Sequence, residues 1–153
     1  MLLASIPDLA TWIAVMSPAC WRCMTTCGTA CDRFYEALKR STLPLVSHGG
    51  YEHRVLNSSK QAELNNPLAL RRALTHGIRV IISHAASTGE NMDTDHGADG
   101  PIVQSFTLFT RMMIEPRYEG LLYGDISALT EPSRTAALLK SVLLNDAWQG
   151  QLT

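Results

Sequence analysis

Hydrophobic and polar positions along the chain alternate between short apolar runs and segments of helical periodicity. The runs at residues 43–48, 78–84 and 120–127 are short and contain β-branched residues, which is typical of buried strands. Helical segments are predicted at residues 32–40, 67–76 and 103–115, and a fourth starts near Pro132. This strict alternation of helices and strands indicates an α/β protein with a parallel sheet.

Residues that favour helix ends mark several boundaries of these segments. Asp32 is predicted to cap the first helix, because a short carboxylate accepts hydrogen bonds from the free amides of the first turn. Pro67 suits the first turn of the second helix, and Gly77 suits the position just after its end. Pro116 is predicted to stop the third helix.

Each predicted strand carries a polar side chain at or near its C-terminal end. His48 and His84 end the first two strands, and Asp125 lies near the end of the third. The intervals between them, 36 and 41 residues, each suit one strand–helix unit. We therefore expect the three side chains at one edge of the sheet, which is where barrel enzymes carry their chemistry.

Composition and charge narrow the classes of function. The chain is 46% hydrophobic and 18% charged, with a net charge of −1. These values are ordinary for a soluble globular domain and give no reason to expect binding to nucleic acid or to a membrane surface. The apolar N-terminus has no basic start and is interrupted by Asp8, so we expect a cytoplasmic protein with reduced thiols.

The first 31 residues differ from the rest of the chain in composition. They contain Cys20, Cys23, Cys27 and Cys31 among threonines and tryptophans. We divide the chain into an atypical cysteine-rich leader, residues 1–31, and an α/β domain, residues 32–153. The cysteines remain open to three interpretations: an irrelevant leader, an incidental set of thiols, or a zinc or iron–sulfur site.

Four segments of the second part resemble the amidohydrolase superfamily, and more narrowly its amidohydrolase-related metal-dependent hydrolases. They are LPLVSHGGYEH (43–53), NPLALRR (66–72), VIISHAAS (80–87) and LYGDISAL (122–129). The resemblance covers about residues 32–152. It implies a partial (β/α)8 TIM barrel made of three consecutive βα units, with the three strands matching the fifth, sixth and seventh of the family.

The resemblance also implies a metal site. His48 would match the metal ligand of the fifth strand and His84 the histidine of the sixth, so both are candidate ligands of a divalent metal, with zinc expected first. Asp125, Glu52 and His84 are the candidate catalytic residues, and His53 would support them. The family's His-x-His pair on the first strand has no counterpart in this sequence.

The implied function is metal-dependent hydrolysis of a C–N or C–O bond in a small molecule. Since the first-strand His-x-His pair and the eighth-strand aspartate of the family are missing, we expect the chain to be truncated and inactive alone. We also expect self-association through open sheet edges. A decarboxylase of the same superfamily, and a non-catalytic metal-binding module built on the cysteines, stay open as alternatives.

Each candidate residue also has a purely structural interpretation. His48 and His84 can be histidines of the core or of a loop, and Asp125 can cap a turn. Glu52 and His53 can be ordinary surface residues. The acidic loop 87–101, which contains His96, is interpreted as a solvated lid rather than a metal loop, because its spacing matches no calcium-loop pattern.

Overall fold

The protein is a mixed α/β structure in which short helices alternate with parallel strands. A computed structural model describes residues 28–51, 65–129, 131, 141–142, 144–148 and 150–153. The helices are α1 (Gly28–Ser41), α2 (Arg71–Thr75) and α3 (Ser105–Met113). The strands are β1 (Leu45–His48), β2 (Val80–Ser83), β3 (Glu90–Met92), β4 (Ile102–Gln104) and β5 (Leu122–Gly124). The three strands predicted from the apolar runs are thus confirmed as β1, β2 and β5, each shorter than its run.

The main sheet has three parallel strands in the order β1-β2-β5. In this register Leu45 lies beside Val80, and Val80 beside Leu122. The chain returns to the sheet at its last residues, where Leu152 forms a parallel bridge with Gly124. The Gly124 amide donates to the Gln151 carbonyl at 2.9 Å, so a fourth extended segment flanks β5 where no further strand was predicted.

One face of this sheet packs in the core, while the opposite face is more exposed. The first face presents Leu45, Val80, Ile82 and Leu122, which share one buried cluster with residues of all three helices. On the opposite face Val46 is 50% exposed, and its neighbours Ile81 and Tyr123 are only partly buried. The described helices therefore supply apolar side chains to a single core that lies on one side of the sheet.

Helix α1 begins at Gly28, earlier than the sequence pattern indicated. Asp32 lies inside the helix, so its predicted role as the N-cap is wrong. Its carboxylate binds Arg72 of α2 at 2.8 Å instead, and this hydrogen bond lowers the pKa of Asp32. The second helix agrees better with expectation: Pro67 opens a 3-10 turn that leads into α2, and Gly77 follows its end with φ +74°.

The acidic segment 87–101 is not a simple loop. It contains β3, which pairs antiparallel with β4, and a short 3-10 turn between them. Asn91 of β3 is buried, and its side-chain oxygen accepts a hydrogen bond from the Ser105 hydroxyl at 2.8 Å. The segment is therefore a hairpin seated on the start of α3.

Among the described strands, β1, β2 and β5 form an open sheet that does not close into a barrel, and β3 and β4 form a separate pair. Within the described part of the chain, β1 pairs only with β2 and forms one edge of the sheet. A search of the same residues for a helix long and apolar enough to cross a membrane finds none.

Candidate functional site

His48 and His84 lie side by side at the C-terminal edge of the parallel sheet. His48 is the last residue of β1, and His84 follows directly after β2. Because the two strands are parallel neighbours in register, their ends coincide, and the ring centroids are 5.5 Å apart. The sheet thus brings together the two histidines that the sequence placed at equivalent strand ends.

The backbone at His84 turns sharply. His84, Ala85 and Ala86 have φ values of +55°, +51° and +50°, so three consecutive residues with side chains adopt the left-handed conformation. Each such residue costs about 1–2 kcal/mol relative to the right-handed form. Both alanines are fully buried, which shows that surrounding packing holds the turn in place. Strain of this kind is often retained where a side chain has to be aimed in an unusual direction.

Asp125 lies across from this turn, one residue beyond β5. Its Oδ2 accepts a hydrogen bond from the His84 amide at 3.2 Å, and its Oδ1 accepts one from the Ser127 amide at 2.8 Å. The Ser127 hydroxyl also donates to Oδ2. Asp125 therefore caps its own turn and joins the ends of two adjacent strands.

These contacts favour the ionised form of Asp125. Partial burial raises the pKa of Asp125, but hydrogen bonds from the Ser127 hydroxyl and from the amides of Ser127 and His84 outweigh that effect. The net result is a pKa below the ordinary value, so the group is an anion at neutral pH. A carboxylate in this state accepts hydrogen bonds and is a poor proton donor.

The ring of His84 is fixed by the same turn. Its Nδ1 lies 3.0 Å from the carbonyl oxygen of Ser127 and 3.0 Å from the Ser127 hydroxyl. Nδ1 is also 3.6 Å from Oδ2 of Asp125. A carbonyl oxygen can only accept, so Nδ1 carries the hydrogen in the neutral ring and the lone pair is on Nε2.

This tautomer bears on whether Ser127 is an activated nucleophile. A serine nucleophile needs a neighbouring base nitrogen with a lone pair directed at its hydroxyl. Here the nearby nitrogen is Nδ1, whose hydrogen is directed to a carbonyl, and the hydroxyl already donates to Asp125. The arrangement is therefore suited to holding His84 rather than to activating Ser127.

The glycines after His48 serve internal packing. A Cβ on Gly49 would lie 2.7 Å from Ile82, and one on Gly50 would lie 2.1 Å from the Thr88 carbonyl oxygen. Next to them, the Tyr51 amide donates to that same Thr88 oxygen at 2.8 Å. These glycines thus permit the backbone to lie close to the loop after β2. This contact holds the His48 loop against the His84 loop.

The spacing of the two imidazoles can be compared with that of two histidines on one metal ion. Two imidazoles on one tetrahedral ion, with metal–nitrogen distances of about 2.0–2.1 Å, hold their ring centroids roughly 5 Å apart, close to the spacing of His48 and His84. Asp125 lies next to His84, and both of its oxygens accept hydrogen bonds within the turn. In the described residues no group of three or more histidine, cysteine or carboxylate side chains is arranged to hold a metal. Glu52 and His53 lie outside the described residues.

The acidic hairpin holds an ion-pair network. Asp93 is only 2% exposed at its side chain, and Arg111 of α3 binds both of its oxygens, at 2.8 and 2.7 Å. Asp95 contacts Arg71 and Arg111, and Arg71 also reaches Glu115 at 2.7 Å. Residues 94–99 are exposed, as predicted for a solvated segment, but Asp93 is buried, and the ion pairs of Asp93 and Asp95 tie the hairpin to α2 and α3.

The network explains the acidity of Asp93. The hydrogen bonds from Arg111 lower the pKa of Asp93 to about 2, against the opposing effect of burial. His96 is a further contact of Asp93, with its Nδ1 3.0 Å from Oδ2. The sequence offered no signal for this arrangement, since Arg111 belongs to a helix 18 residues away.

Two further features lie apart from the histidine pair. Cys31 is buried in the core at 5% exposure, and Cys20, Cys23 and Cys27 lie outside the described residues. A groove of about 530 Å³ is lined by the end of α3, the turn before β5, Tyr123 and Gln151. It contains none of the residues predicted to be functional.

The fold and site define a mixed α/β protein with a histidine pair at the C-terminal edge of a parallel sheet. Comparison of the chain with models of known families, with curated proteins and with solved structures finds no significant match.

Proposed function

We propose that this chain is part of a metal-dependent hydrolase related to the amidohydrolases, and that His48 and His84 are two of its metal ligands. The observation that carries the proposal is the approach of the two imidazoles at the C-terminal ends of adjacent parallel strands. Active sites of barrel enzymes lie at this end of the sheet, where loops from several strands converge. The substrate class is a small molecule with a hydrolysable C–N or C–O bond.

The one-sided core supports a barrel as the architecture of the whole domain. In a (β/α) barrel all helices lie outside and the inner face of the sheet is filled by side chains from the strands themselves. The described helices share a core with one face of the sheet, and the opposite row, Val46, Ile81 and Tyr123, stays less buried. That row has the position and the residue types expected of a barrel interior.

Each candidate residue of this chain would have a separate role in metal binding or in the reaction. A divalent metal, when bound, lowers the pKa of a coordinated water to about 7 and so supplies hydroxide at neutral pH. His48 and His84 would hold the metal, and Asp125 would orient His84. Glu52 remains the candidate proton carrier in the loop after β1. Because two imidazoles do not complete a catalytic site, we propose that the chain alone has no measurable hydrolase activity.

Metal binding tests this proposal directly. The full chain with Cys20, Cys23 and Cys27 replaced by serine is titrated with Co²⁺, whose absorption spectrum separates nitrogen from thiolate ligands. We expect one weak site of nitrogen and oxygen character that is lost in His48→Ala and in His84→Ala. His76→Ala is the matched control, because His76 pairs with Asp32 at the end of α2 and should leave the spectrum unchanged.

Two results would overturn the proposal. One is a spectrum that stays the same in the His48→Ala and His84→Ala variants, which would exclude the histidine pair as the site. The other is absence of any histidine-dependent binding at millimolar Co²⁺. Metal-dependent turnover by the purified chain alone would contradict the narrower proposal that it is inactive without further ligands.

A further inference from the structure

We infer that Asp125 and Ser127 form a clamp that fixes His84 in one tautomer, with its hydrogen on Nδ1 and its lone pair on Nε2. The clamp consists of the Asp125 carboxylate and the Ser127 main chain, and the Ser127 hydroxyl is an additional acceptor that the clamp does not require. Asp125 is thereby a positioning residue and not a metal ligand. This inference rests on the proposed function and deepens it, because it states which nitrogen of His84 carries the lone pair that a metal would bind, but its first test needs neither metal nor activity.

The acceptor that decides the tautomer is a main-chain carbonyl. The Ser127 carbonyl oxygen lies 3.0 Å from Nδ1 of His84 and has no hydrogen to offer. The Ser127 hydroxyl, at the same distance, has already placed its hydrogen toward Asp125, so it too presents an oxygen to Nδ1. Two acceptors at one ring nitrogen require that nitrogen to be the donor.

Asp125 acts on the ring through the turn that it caps. Its Oδ1 accepts from the Ser127 amide at 2.8 Å, which holds the residue whose carbonyl faces His84. Its Oδ2 accepts from the His84 amide at 3.2 Å, which holds the first residue of the left-handed turn. One carboxylate therefore sets both partners of the ring contact: the carbonyl that accepts and the backbone that aims the imidazole.

The left-handed turn gives an independent reason for such a clamp. His84 and the two following alanines adopt a conformation that residues with side chains disfavour, with φ from +50° to +55°. A backbone in this state stays in place only where other contacts hold it. The hydrogen bond from the His84 amide to Asp125 is such a contact, and it lies at the first residue of the run.

Nitrogen NMR of the histidine rings measures the tautomer. The full chain, labelled with ¹⁵N at histidine, is recorded at about pH 8.5, where a histidine of ordinary pKa, about 6.5, is neutral. We expect a pyrrole-type shift at Nδ1 and a pyridine-type shift at Nε2 for His84, opposite to the preference of an imidazole in water. The same chain unfolded in urea provides the reference.

Two variants separate the clamp from a general effect on folding. Asp125→Ala should return His84 toward the tautomer mixture of the unfolded reference, because the carbonyl is no longer held. Ser127→Ala should keep the wild-type tautomer, since the main-chain acceptor and the amide contact to Asp125 remain. The resonances of His76, which lies far from this turn at the end of α2, report whether each variant is folded.

A wild-type His84 with hydrogen on Nε2 would overturn the inference. So would an Asp125→Ala variant that is folded by the His76 resonances and retains the wild-type tautomer. If Asp125→Ala fails to fold, Asp125→Asn takes its place: the clamp requires a measurable shift of the tautomer ratio, because an amide oxygen cannot accept as the two carboxylate oxygens do.

Metal affinity gives a second, separable readout. If Asp125 only positions His84, Asp125→Ala should weaken Co²⁺ binding by about 10–100-fold, as is usual for residues that orient a ligand, while His84→Ala should abolish it. Equal loss in both variants would make Asp125 a ligand and overturn the positioning role. If the wild-type chain binds no metal, the proposed function fails, and the tautomer measurement still decides the clamp.

Discussion

Arg111 donates two parallel hydrogen bonds to Asp93, at 2.8 and 2.7 Å, and this ion pair connects the β3–β4 hairpin to α3. The paired geometry matches the fork of the guanidinium to both oxygens of the carboxylate, which is the strongest form of such a contact. Because Asp93 is almost fully buried, loss of Arg111 would leave a buried carboxylate with only His96 and the Asp95 amide as partners.

Arg111→Gln should therefore lower the free energy of unfolding by about 2–4 kcal/mol. This is toward the lower end of the loss that is usual when a buried ion pair is broken, because Arg111 itself is 34% exposed. Arg117→Gln is the matched control, since Arg117 contacts Glu115 while being 63% exposed, and it should cost less than about 1 kcal/mol. Urea unfolding followed by circular dichroism measures both. Equal destabilisation by the two substitutions would contradict the structural role of the Arg111–Asp93 pair.

Acid should weaken the same contact in a defined range of pH. The pKa of Asp93 is about 2 in the folded chain and rises to the ordinary 3.8 on unfolding, so the unfolded chain binds the proton first. The contribution of this group to the free energy of unfolding is thus complete above about pH 4 and declines as the pH falls toward 2.

Urea titrations between about pH 5 and pH 2 test this dependence, and Asp93→Asn should show a smaller loss of stability across the range than the wild-type chain. Asp99→Asn, at an exposed position of the same hairpin, is the control and should follow the wild type. A parallel decline in the wild type and in Asp93→Asn would exclude Asp93 as the source of the acid sensitivity.

Gly50→Ala should be far more disruptive than the same substitution at Gly120. Both glycines have a positive φ, +82° and +71°, so each alanine would meet a conformational cost of about 1 kcal/mol. At Gly50 the new Cβ would also lie 2.1 Å from the Thr88 carbonyl oxygen, whereas nothing lies within 4 Å at Gly120. We expect Gly50→Ala to separate the loops after β1 and β2, seen as a loss of stability several times that of Gly120→Ala. Similar melting temperatures for the two variants would contradict it.

Self-association through the β1 edge is the last expectation. Among the described residues β1 pairs on one side only, and Val46 is 50% exposed on the less covered face. We expect light scattering to give a mass above the 16.8 kDa of one chain.

Val46→Lys should move that mass toward the monomer, because a charge at an edge strand opposes pairing with a second chain. Thr107→Lys adds the same charge at an exposed position of α3 and should leave the association unchanged. A wild-type monomer at all concentrations would show that the edge is not an association surface.

The histidine pair was accessible to prediction from the sequence because of strand periodicity. Two apolar runs that each end in histidine, at a spacing of one strand–helix unit, must bring those residues to the same edge if the strands are parallel neighbours. The structure confirms that neighbourhood.

The role of Asp125 was harder to predict, because it depends on which atoms its carboxylate contacts and not on its position along the chain. Its place after β5 followed from the apolar run, yet a carboxylate there is equally suited to binding a metal, moving a proton or capping a turn. Both oxygens accept hydrogen bonds, from Ser127 in the same turn and from the His84 amide, and the His84 contact forms only when β2 and β5 are adjacent.

Local periodicity and the length of chain between strands were enough to predict the α/β class, the three parallel strands, and the position of His48 and His84 at the strand ends. The hydrogen bonds and ion pairs between polar groups of different elements became apparent only in the folded structure. The left-handed turn at His84, the capped turn at Asp125 and the burial of Asp93 under Arg111 each depend on contacts between segments far apart in the chain. Hydrogen-bond partners and local dielectric are properties of the packed molecule, so no pattern of residue types along the chain specifies them.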